Sequence, residues 1–325
     1  MVEEDPSSKL SRFLSWRHVL SRILHCGLAL LFGGFVVANA APAQIPTALD
    51  FPASPSIAAT GSAGAARWTE PAAAMVNPSV IGTSGGIALE ASMFETRSVD
   101  QEGLAGLVAL TGPFGMRYAL EVRHKGVRDL IEDPGLDDSG LQVSDDLVSL
   151  ILARAVFDTV LVIGLRANTV RSRVIATRGQ AMFFDLGLLV RPHRRVAIGG
   201  VVRRLGTKVR WTVPGGEEFA TGIGQAVRAG VYVGALPVGP VDVALAGDVE
   251  SGTSLDWTEL GVGVQVGFRG LAVLRGGVAR PSGGSAYATG GMGLSAGGIR
   301  IDLSYEAVPF VGPRMAFAVG YRSAS

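Results

Sequence analysis

Lysine and cysteine are nearly absent from this chain. Its only lysines are Lys9, Lys125 and Lys208; every other basic residue is an arginine, and the formal net charge is +1. That near-neutral balance gives no electrostatic footing for nucleic acid, which needs a basic patch or stripe to meet phosphates. The single cysteine, Cys26, lies near the N-terminus. Everything after it is therefore without thiol, disulfide or cysteine-based metal site. Beyond residue 43 the only histidines are His124 and His193, which leaves little imidazole for metal binding or acid–base work. Long apolar runs are missing too. The clearest, residues 27–38, has about 12 residues where a membrane-spanning helix needs roughly 20.

That short apolar run has the surroundings of an export signal. Arg12, Arg17 and Arg22 precede it, and the small-x-small sites Ala38-Asn39-Ala40 and Ala41-Pro42-Ala43 follow. Basic, apolar and small-residue regions in that order define a signal peptide, with cleavage expected before Gln44. His25 stands before Cys26, where a lipoprotein signal requires a small residue, which argues against lipidation. The expected organisation is a signal peptide over residues 1–43, an Ala/Pro/Ser/Gly-rich segment over 44–83, and one continuous domain over 84–325.

What fills that domain is a period of two. Ile299, Ile301, Leu303 and Tyr305 alternate with Arg300, Asp302, Ser304 and Glu306. Val241, Val243, Leu245 and Val249 alternate with Asp242, Ala244, Asp248 and Glu250; Leu260, Val262, Val264 and Val266 alternate with Gly261, Gly263, Gln265 and Gly267. Strict alternation gives each strand one apolar face and one polar or small face. A soluble sandwich buries the apolar faces between sheets, whereas a membrane barrel turns them toward lipid.

Connection lengths decide between the two. The pattern predicts fourteen strands, at 84–93, 104–110, 116–123, 147–156, 160–168, 181–190, 196–204, 226–234, 240–250, 257–268, 271–279, 287–295, 299–306 and 314–322. Between them short turns alternate with longer loops, the longest expected at 94–103, 124–146, 169–180 and 205–225. Short turns on one rim and long loops on the other mark an outer-membrane barrel. A sandwich has no reason to sort its loops. The expectation is an all-β transmembrane antiparallel barrel in the outer membrane of a Gram-negative-type bacterium, with both ends of the barrel on the periplasmic side. Trp211, Trp257, Tyr287, Phe310 and Tyr321 fall near strand ends, where interfacial aromatics belong.

The segment before the first strand carries a motif. Gly61-Ser62-Ala63-Gly64-Ala65-Ala66 is followed by Glu70-Pro71-Ala72-Ala73-Ala74-Met75-Val76-Asn77-Pro78-Ser79. It resembles the N-terminal motif of the PorV/PorQ proteins, which stand with the FadL-type transporters of hydrophobic compounds. That pattern is an acidic residue, a small-residue run, an aromatic and Asn-Pro-Ala; here Val76 replaces the aromatic and Ser79 the alanine. Phe184-Asp185-Leu186-Gly187, Asn168 near Arg166, and Leu205-Gly206-Thr207-Lys208 also resemble strands of that family. The resemblance implies a fourteen-stranded barrel with a short N-terminal segment in its lumen. It also implies one of two functions: a part in type IX protein secretion, with secreted proteins or secretion components as partners, or passage of small hydrophobic molecules. Within the segment, Arg67, Glu70, Asn77 and Pro78 are the candidate plug residues, the proline biasing Asn77 to an extended shape.

Motifs for other chemistry lack their context. Gly293-Leu294-Ser295-Ala296-Gly297 matches a hydrolase nucleophile motif, but no helix follows it. Gly-rich runs such as Gly290-Gly291-Met292-Gly293 have no strand–turn–helix setting for a dinucleotide. The acidic stretch from Asp129 to Asp146 has no EF-hand spacing and reads as a surface loop. The expectation is a non-enzyme without cofactor or metal, with membrane lipid as its surroundings. The inward faces carry arginines in roughly equal number with carboxylates. Arg166, Asp185, Arg203, Asp242, Arg300 and Asp302 are the leading candidates for a lattice of lumen ion pairs. An anion pore would instead leave such arginines unpartnered. Arg154 is expected to face inward with them.

Overall fold

Alternating sequence alone cannot close a sheet; closure comes from pairing the first strand with the last. The computed structural model describes residues 54–127, 143–157, 160–206, 208–252, 258–281, 284–309 and 311–323. The expected signal peptide, residues 44–53, Trp257, Phe310 and most of the acidic stretch after Asp129 lie outside them. The strands are β1 (Ala88–Thr96), β2 (Gln101–Thr111), β3 (Met116–Val127), β4 (Val143–Val156), β5 (Leu161–Val174), β6 (Thr177–His193), β7 (Val196–Gly206), β8 (Lys208–Thr212) and β9 (Glu218–Gly222). They continue with β10 (Ala226–Val238), β11 (Val241–Gly252), β12 (Thr258–Phe268), β13 (Ala272–Arg280), β14 (Tyr287–Ala296), β15 (Ile299–Val308) and β16 (Gly312–Arg322). Every neighbouring pair is antiparallel, β7 pairs with β10, and β1 pairs with β16 from Ala88↔Arg322 to Thr96↔Arg314. The result is a closed barrel of fourteen strands, with β8 and β9 forming a side hairpin that pairs with β6 through Gly179↔Trp211. Closure leaves the barrel without an open strand edge, the condition for crossing hydrocarbon.

The alternation sorts the side chains as expected. Leu104, Val108 and Leu110 on β2, Ile163 and Leu165 on β5, and Ile301, Leu303 and Tyr305 on β15 are exposed on the outer face. Their neighbours Ala105, Leu107, Arg166, Asn168, Asp302 and Ser304 are buried inside. So wide an apolar exterior has no aqueous counterpart in a monomeric soluble protein and fits a lipid-facing wall. Tight turns close the opposite edge; Gly297 (φ +58°) and Gly298 (φ +85°) join β14 to β15. Two positive φ values in a two-residue loop match the right-handed strand twist. This turn also accounts for the hydrolase-like Gly-x-Ser-x-Gly stretch.

Several expectations need correction. The stretch 169–180 is not a loop: β5 and β6 run on to a two-residue turn at Ile175 and Ala176, extending the outward rim. The loop 205–225 contains the β8–β9 hairpin. Arg154 points outward, because the alternation set by buried Leu147, Ser149, Ile151 and Ala153 puts it on the opposite face. Trp211 is no interfacial anchor. It is 4% exposed, lies over Gly179, and stacks on Phe219 with ring centroids 6.3 Å apart. Tyr287 likewise shares the inward face with buried Thr289, whereas Tyr321 faces outward.

Leu165 sits midway along the outward apolar run of β5. Leu165→Arg should therefore cost about 2–4 kcal/mol, the usual cost of a cation at the mid-plane of a barrel's lipid face. Guanidinium unfolding in lipid vesicles measures it; unchanged stability would show that this face does not meet hydrocarbon.

Candidate functional site

The lumen is occupied by the chain's own N-terminal segment. Residues 54–83 fold as a single helical turn, Pro55–Ala58, and two 3-10 turns, Pro71–Met75 and Pro78–Thr83, each with proline at its start. Proline there gives up an N–H that no helix start can satisfy internally. Such short turns bury little by themselves. The wall holds them through three polar hubs and a set of glycines.

The first hub centres on Glu70. Its carboxylate pairs with Arg67 of the segment at 2.7 Å, with Arg300 of β15 at 3.1 Å and with Arg275 of β13 at 3.6 Å. Ser56 donates to it as well. The terminal nitrogens of Arg67 also donate to the Ser56 carbonyl at 2.7 Å, Thr60 Oγ1 at 2.8 Å and Gln265 Oε1 at 2.5 Å. Asp302 completes the ring, accepting from Arg275 at 2.7 Å and from Arg300. Burial by itself raises the Glu70 carboxyl, but Arg300, Arg67 and Arg275 outweigh it and hold the group below the usual carboxylate range.

In the second hub Asp248 of β11 accepts the backbone N–H of Gly64 at 2.7 Å and of Ala65 at 2.8 Å. Arg228 bonds the same carboxylate oxygen at 2.9 Å and donates to the Ser62 carbonyl. Beside it, Arg203 contacts Glu250 at 2.8 Å. In the third, Arg123 and Arg166 both donate to the Met75 carbonyl, at 2.8 and 2.7 Å. Arg166 is held in turn by Asp185 at 2.5 Å and Glu121 at 3.1 Å, and Asn168 donates to Asp185 at 3.1 Å.

Asn77 is the hinge pin. Its side-chain oxygen accepts from the N–H and hydroxyl of Ser79, capping the turn that begins at Pro78. Its amide donates to the carbonyl of Ala65 at 2.7 Å within the segment and of Leu188 at 3.2 Å on β6. The contact is close enough to require glycine opposite it: a Cβ on Gly187 would lie 2.1 Å from the Asn77 oxygen, and one on Gly199 2.0 Å from the Ala65 carbonyl oxygen. Near the barrel's tight-turn rim, the Arg191 guanidinium covers the Trp68 ring at 3.8 Å.

Of the residues expected to form lumen pairs, Arg166 with Asp185 and Arg300 with Asp302 meet each other, and Arg203 meets Glu250. Asp242 stands apart. It is on the lumen side of β11, but near that strand's exposed end, and makes no ion pair among the described residues. Asp248 and Glu250, deeper on the same face, take the arginines instead. Asp248 as the receptor for backbone N–H groups was not foreseen, although the alternation places it inward. Nor was Arg204: it is 2% exposed beside Arg203, because a bulge between β6 and β7, with Arg204 at φ +62°, turns two consecutive side chains inward.

Toward the loop end, above these polar layers, the inner face changes character. Leu147, Val170, Ala181 and Phe183 from β4 to β6 pack against Val209, Trp211 and Ile223 of the β8–β9 region as a separate buried apolar cluster. Trp211 Nε1 donates to Thr221 Oγ1 at 2.9 Å, so its polar atom is satisfied without breaking the apolar surface.

A closed fourteen-stranded barrel with an apolar exterior and an internally docked N-terminal segment is an outer-membrane β-barrel protein. No known family's sequence profile matches the chain, and no curated protein matches it in sequence. In structure it is similar to the toluene transporter TbuX of Ralstonia pickettii, with TM-score 0.56 and 14% identity over 83% of this chain and 98% of that one. It is similar to the P. putida toluene transporter TodX, with TM-score 0.56 and 10% identity over 82% and 97%. A Pseudomonas aeruginosa FadL homologue aligns with TM-score 0.51 and 10% identity over 87% and 99%. At these identities the likeness is one of fold: the chain shares its barrel fold with these transporters.

Glu70→Ala leaves Arg67, Arg275 and Arg300 facing each other in a buried site. Removing one partner of a buried pair costs about 3–5 kcal/mol. Hydrogen exchange should therefore rise over residues 56–70 while the strands stay protected; unchanged exchange would show that Glu70 does not hold the segment. The pH dependence has a defined sign. Because the folded value of Glu70 is lowered, its contribution is fully present above the ordinary carboxylate value of about 4.3. It is lost only as pH falls through the lowered value. The part of this protection that Glu70 supplies, lost in Glu70→Ala, should stay constant from neutral pH down to about 4.5 and fail only in stronger acid.

Proposed function

We propose that this protein passes small apolar molecules across the outer membrane, through a lumen kept shut by residues 54–83. The observation that carries the proposal is the apolar cluster on the inner wall at the loop end, with Leu147, Val170, Phe183 and Trp211 at its centre. A pore for hydrated solutes has a polar lining there. These side chains pack on one another, so the loop end offers a hydrated solute no polar groups to replace its water, a penalty an apolar solute does not meet. The shared fold with toluene transporters supports the same reading. The paired arginines below the cluster argue against anion selection, since their charge is already neutralised.

In this reading Arg67, Glu70, Asn77 and Pro78 form a plug, held by polar contacts that exchange partners more readily than an apolar core would repack. The segment docks against β3–β6 and β14–β16, and it leads directly into β1. The resemblance to PorV/PorQ proteins supports a second function, docking of exported proteins at the outer membrane in type IX secretion. It rests on the Glu70 to Ser79 motif, whose Glu70, Asn77, Pro78 and Ser79 are engaged in holding the segment in place.

Two measurements test the proposal. Cells carrying the protein in their outer membrane should take up labelled toluene faster than cells without it, and Phe183→Asp, which puts a charge in the apolar cluster, should lower the gain several-fold. Heat-dependent gel mobility checks that the variant barrel has formed. Uptake equal to that of cells without the protein would overturn the transport reading. In planar bilayers the intact chain should conduct little and a deletion of residues 58–78 should open it; equal conductance would remove the plug.

A further inference from the structure

The charges on the outer wall are distributed unevenly. Along β5 the outward side chains run Ile163, Leu165, Ala167, Thr169, then Arg171 and Arg173; along β6 they run Leu186, Phe184, Met182, then Gln180 and Arg178. The change from apolar to basic occurs at one height on both strands, because Thr169 pairs with Met182, Arg171 with Gln180 and Arg173 with Arg178. Arg210 of the side hairpin joins the row opposite Gln180. The outward apolar run, residues 161–169, spans roughly 20–25 Å of height at a rise of about 3.3 Å per residue and a tilt near 40°. That is the thickness of a barrel's apolar band, so the arginines stand where hydrocarbon gives way to headgroups.

These cations have no partners among the described residues. Each arginine of the three lumen hubs contacts a carboxylate, whereas Arg171, Arg173, Arg178 and Arg210 make no ion pair or hydrogen bond among the described residues. Asp146, in register with Arg171, is bonded to His124 Nδ1 at 2.7 Å. Glu218 is more remote, on β9 beyond Thr212.

Two depressions meet at this point. One, of about 340 Å³, is bounded by Ser144, Asp146, Arg171, Arg173, Arg178 and Gln180. The other, a groove of about 770 Å³, reaches from Leu104, Gly106, Val122 and Val148 to the same Asp146 and Arg171. Gly106 deepens it: no side chain fills the space between Leu104 and Val122 on that face. An apolar trough inside the hydrocarbon layer thus ends at unpartnered guanidinium groups at its edge. Guanidinium forks match phosphate oxygens in bidentate geometry, and the flanking low-dielectric layer strengthens that pairing.

We propose that this face of the barrel binds a phosphorylated membrane lipid, its phosphate among Arg171, Arg173 and Arg178 and an acyl chain in the trough beside Leu104 and Val148. The site is separate from the lumen and independent of what the lumen carries. The adjoining trough selects a lipid over a free anion, which would gain nothing from it.

The test is native mass spectrometry of the full chain in detergent, titrated with lipid A as the phosphorylated probe. Removing the lipid's phosphates should weaken binding by about tenfold or more, the scale of lost charge-assisted hydrogen bonds. The triple variant R171Q/R173Q/R178Q should weaken it similarly, with barrel formation checked by heat-dependent gel mobility. Arg154→Gln, at the opposite end of the wall, should leave it unchanged, and inorganic phosphate in millimolar excess should not displace the lipid. Equal binding of dephosphorylated lipid A would reduce the site to apolar packing and overturn the proposal. So would an unaffected triple variant. Complete displacement by inorganic phosphate would make it a free-anion site. The lipid comparison uses only the natural chain, so it decides the matter even if the triple variant does not fold.

Discussion

Hydrocarbon offers a backbone no hydrogen-bonding partner, and the rest of this structure follows from that constraint. An open sheet would leave two edges of unpaired N–H and C=O groups; pairing β1 with β16 removes both. Once the sheet is closed, the period of two has only one arrangement consistent with lipid: apolar side chains out, polar and small side chains in. The interior is then a narrow space lined by glycine, alanine and charge, and it has to be filled or hydrated.

The chain fills it with its own N-terminus. The segment is too short in regular structure to be stable alone, and its polar backbone cannot be buried unanswered. The wall answers it specifically. Asp248 receives two backbone N–H groups, while Arg123 and Arg166 cap one carbonyl and Arg228 another. Glycines at 187 and 199 bring the two backbones within contact. Buried charges are costly unless paired and hydrogen-bonded, and the central charges of the three hubs, Glu70, Asp248 and Arg166, each have several partners. The lattice of lumen charges is therefore a docking surface as much as an internal brace.

The outer wall follows different rules. Its apolar band needs no partner beyond acyl chains, so any charge on it must sit near an edge. The unpaired arginines of β5 and β6 meet that requirement, and the contrast with their paired counterparts inside shows that arginine alone says nothing about role. The side of the sheet and the height on the strand decide it.

Much of the barrel was legible in the sequence because its determinants are local. Alternation, turn residues and the even strand count are properties of neighbouring residues, and they placed all fourteen barrel strands, including β4, whose Asp145-Asp146 start could also cap a helix. What is not local was not legible. The β5–β6 turn at Ile175-Ala176 has no glycine to mark it, and the β8–β9 hairpin gains its stability from packing Trp211 on Gly179 of another strand. The face of Arg154 is not legible in the sequence, because the neutral run around it gives no phase. Arg204 turns inward only through a bulge that depends on two paired strands. Among the site residues, Arg67, Glu70 and Asn77 stood out by their setting in a small-residue segment. Their partners on the wall, Gln265, Arg300 and the Leu188 carbonyl, lie more than a hundred residues away in sequence. Apart from the phase of β4 and the bulge at Arg204, the sequence by itself determined which side chains face lipid and which face the lumen, since strand periodicity requires no long-range information. Only the tertiary structure decided which charges pair, what the lumen holds and where the bare arginines meet an apolar groove, because those depend on register across strands brought together by closing the barrel.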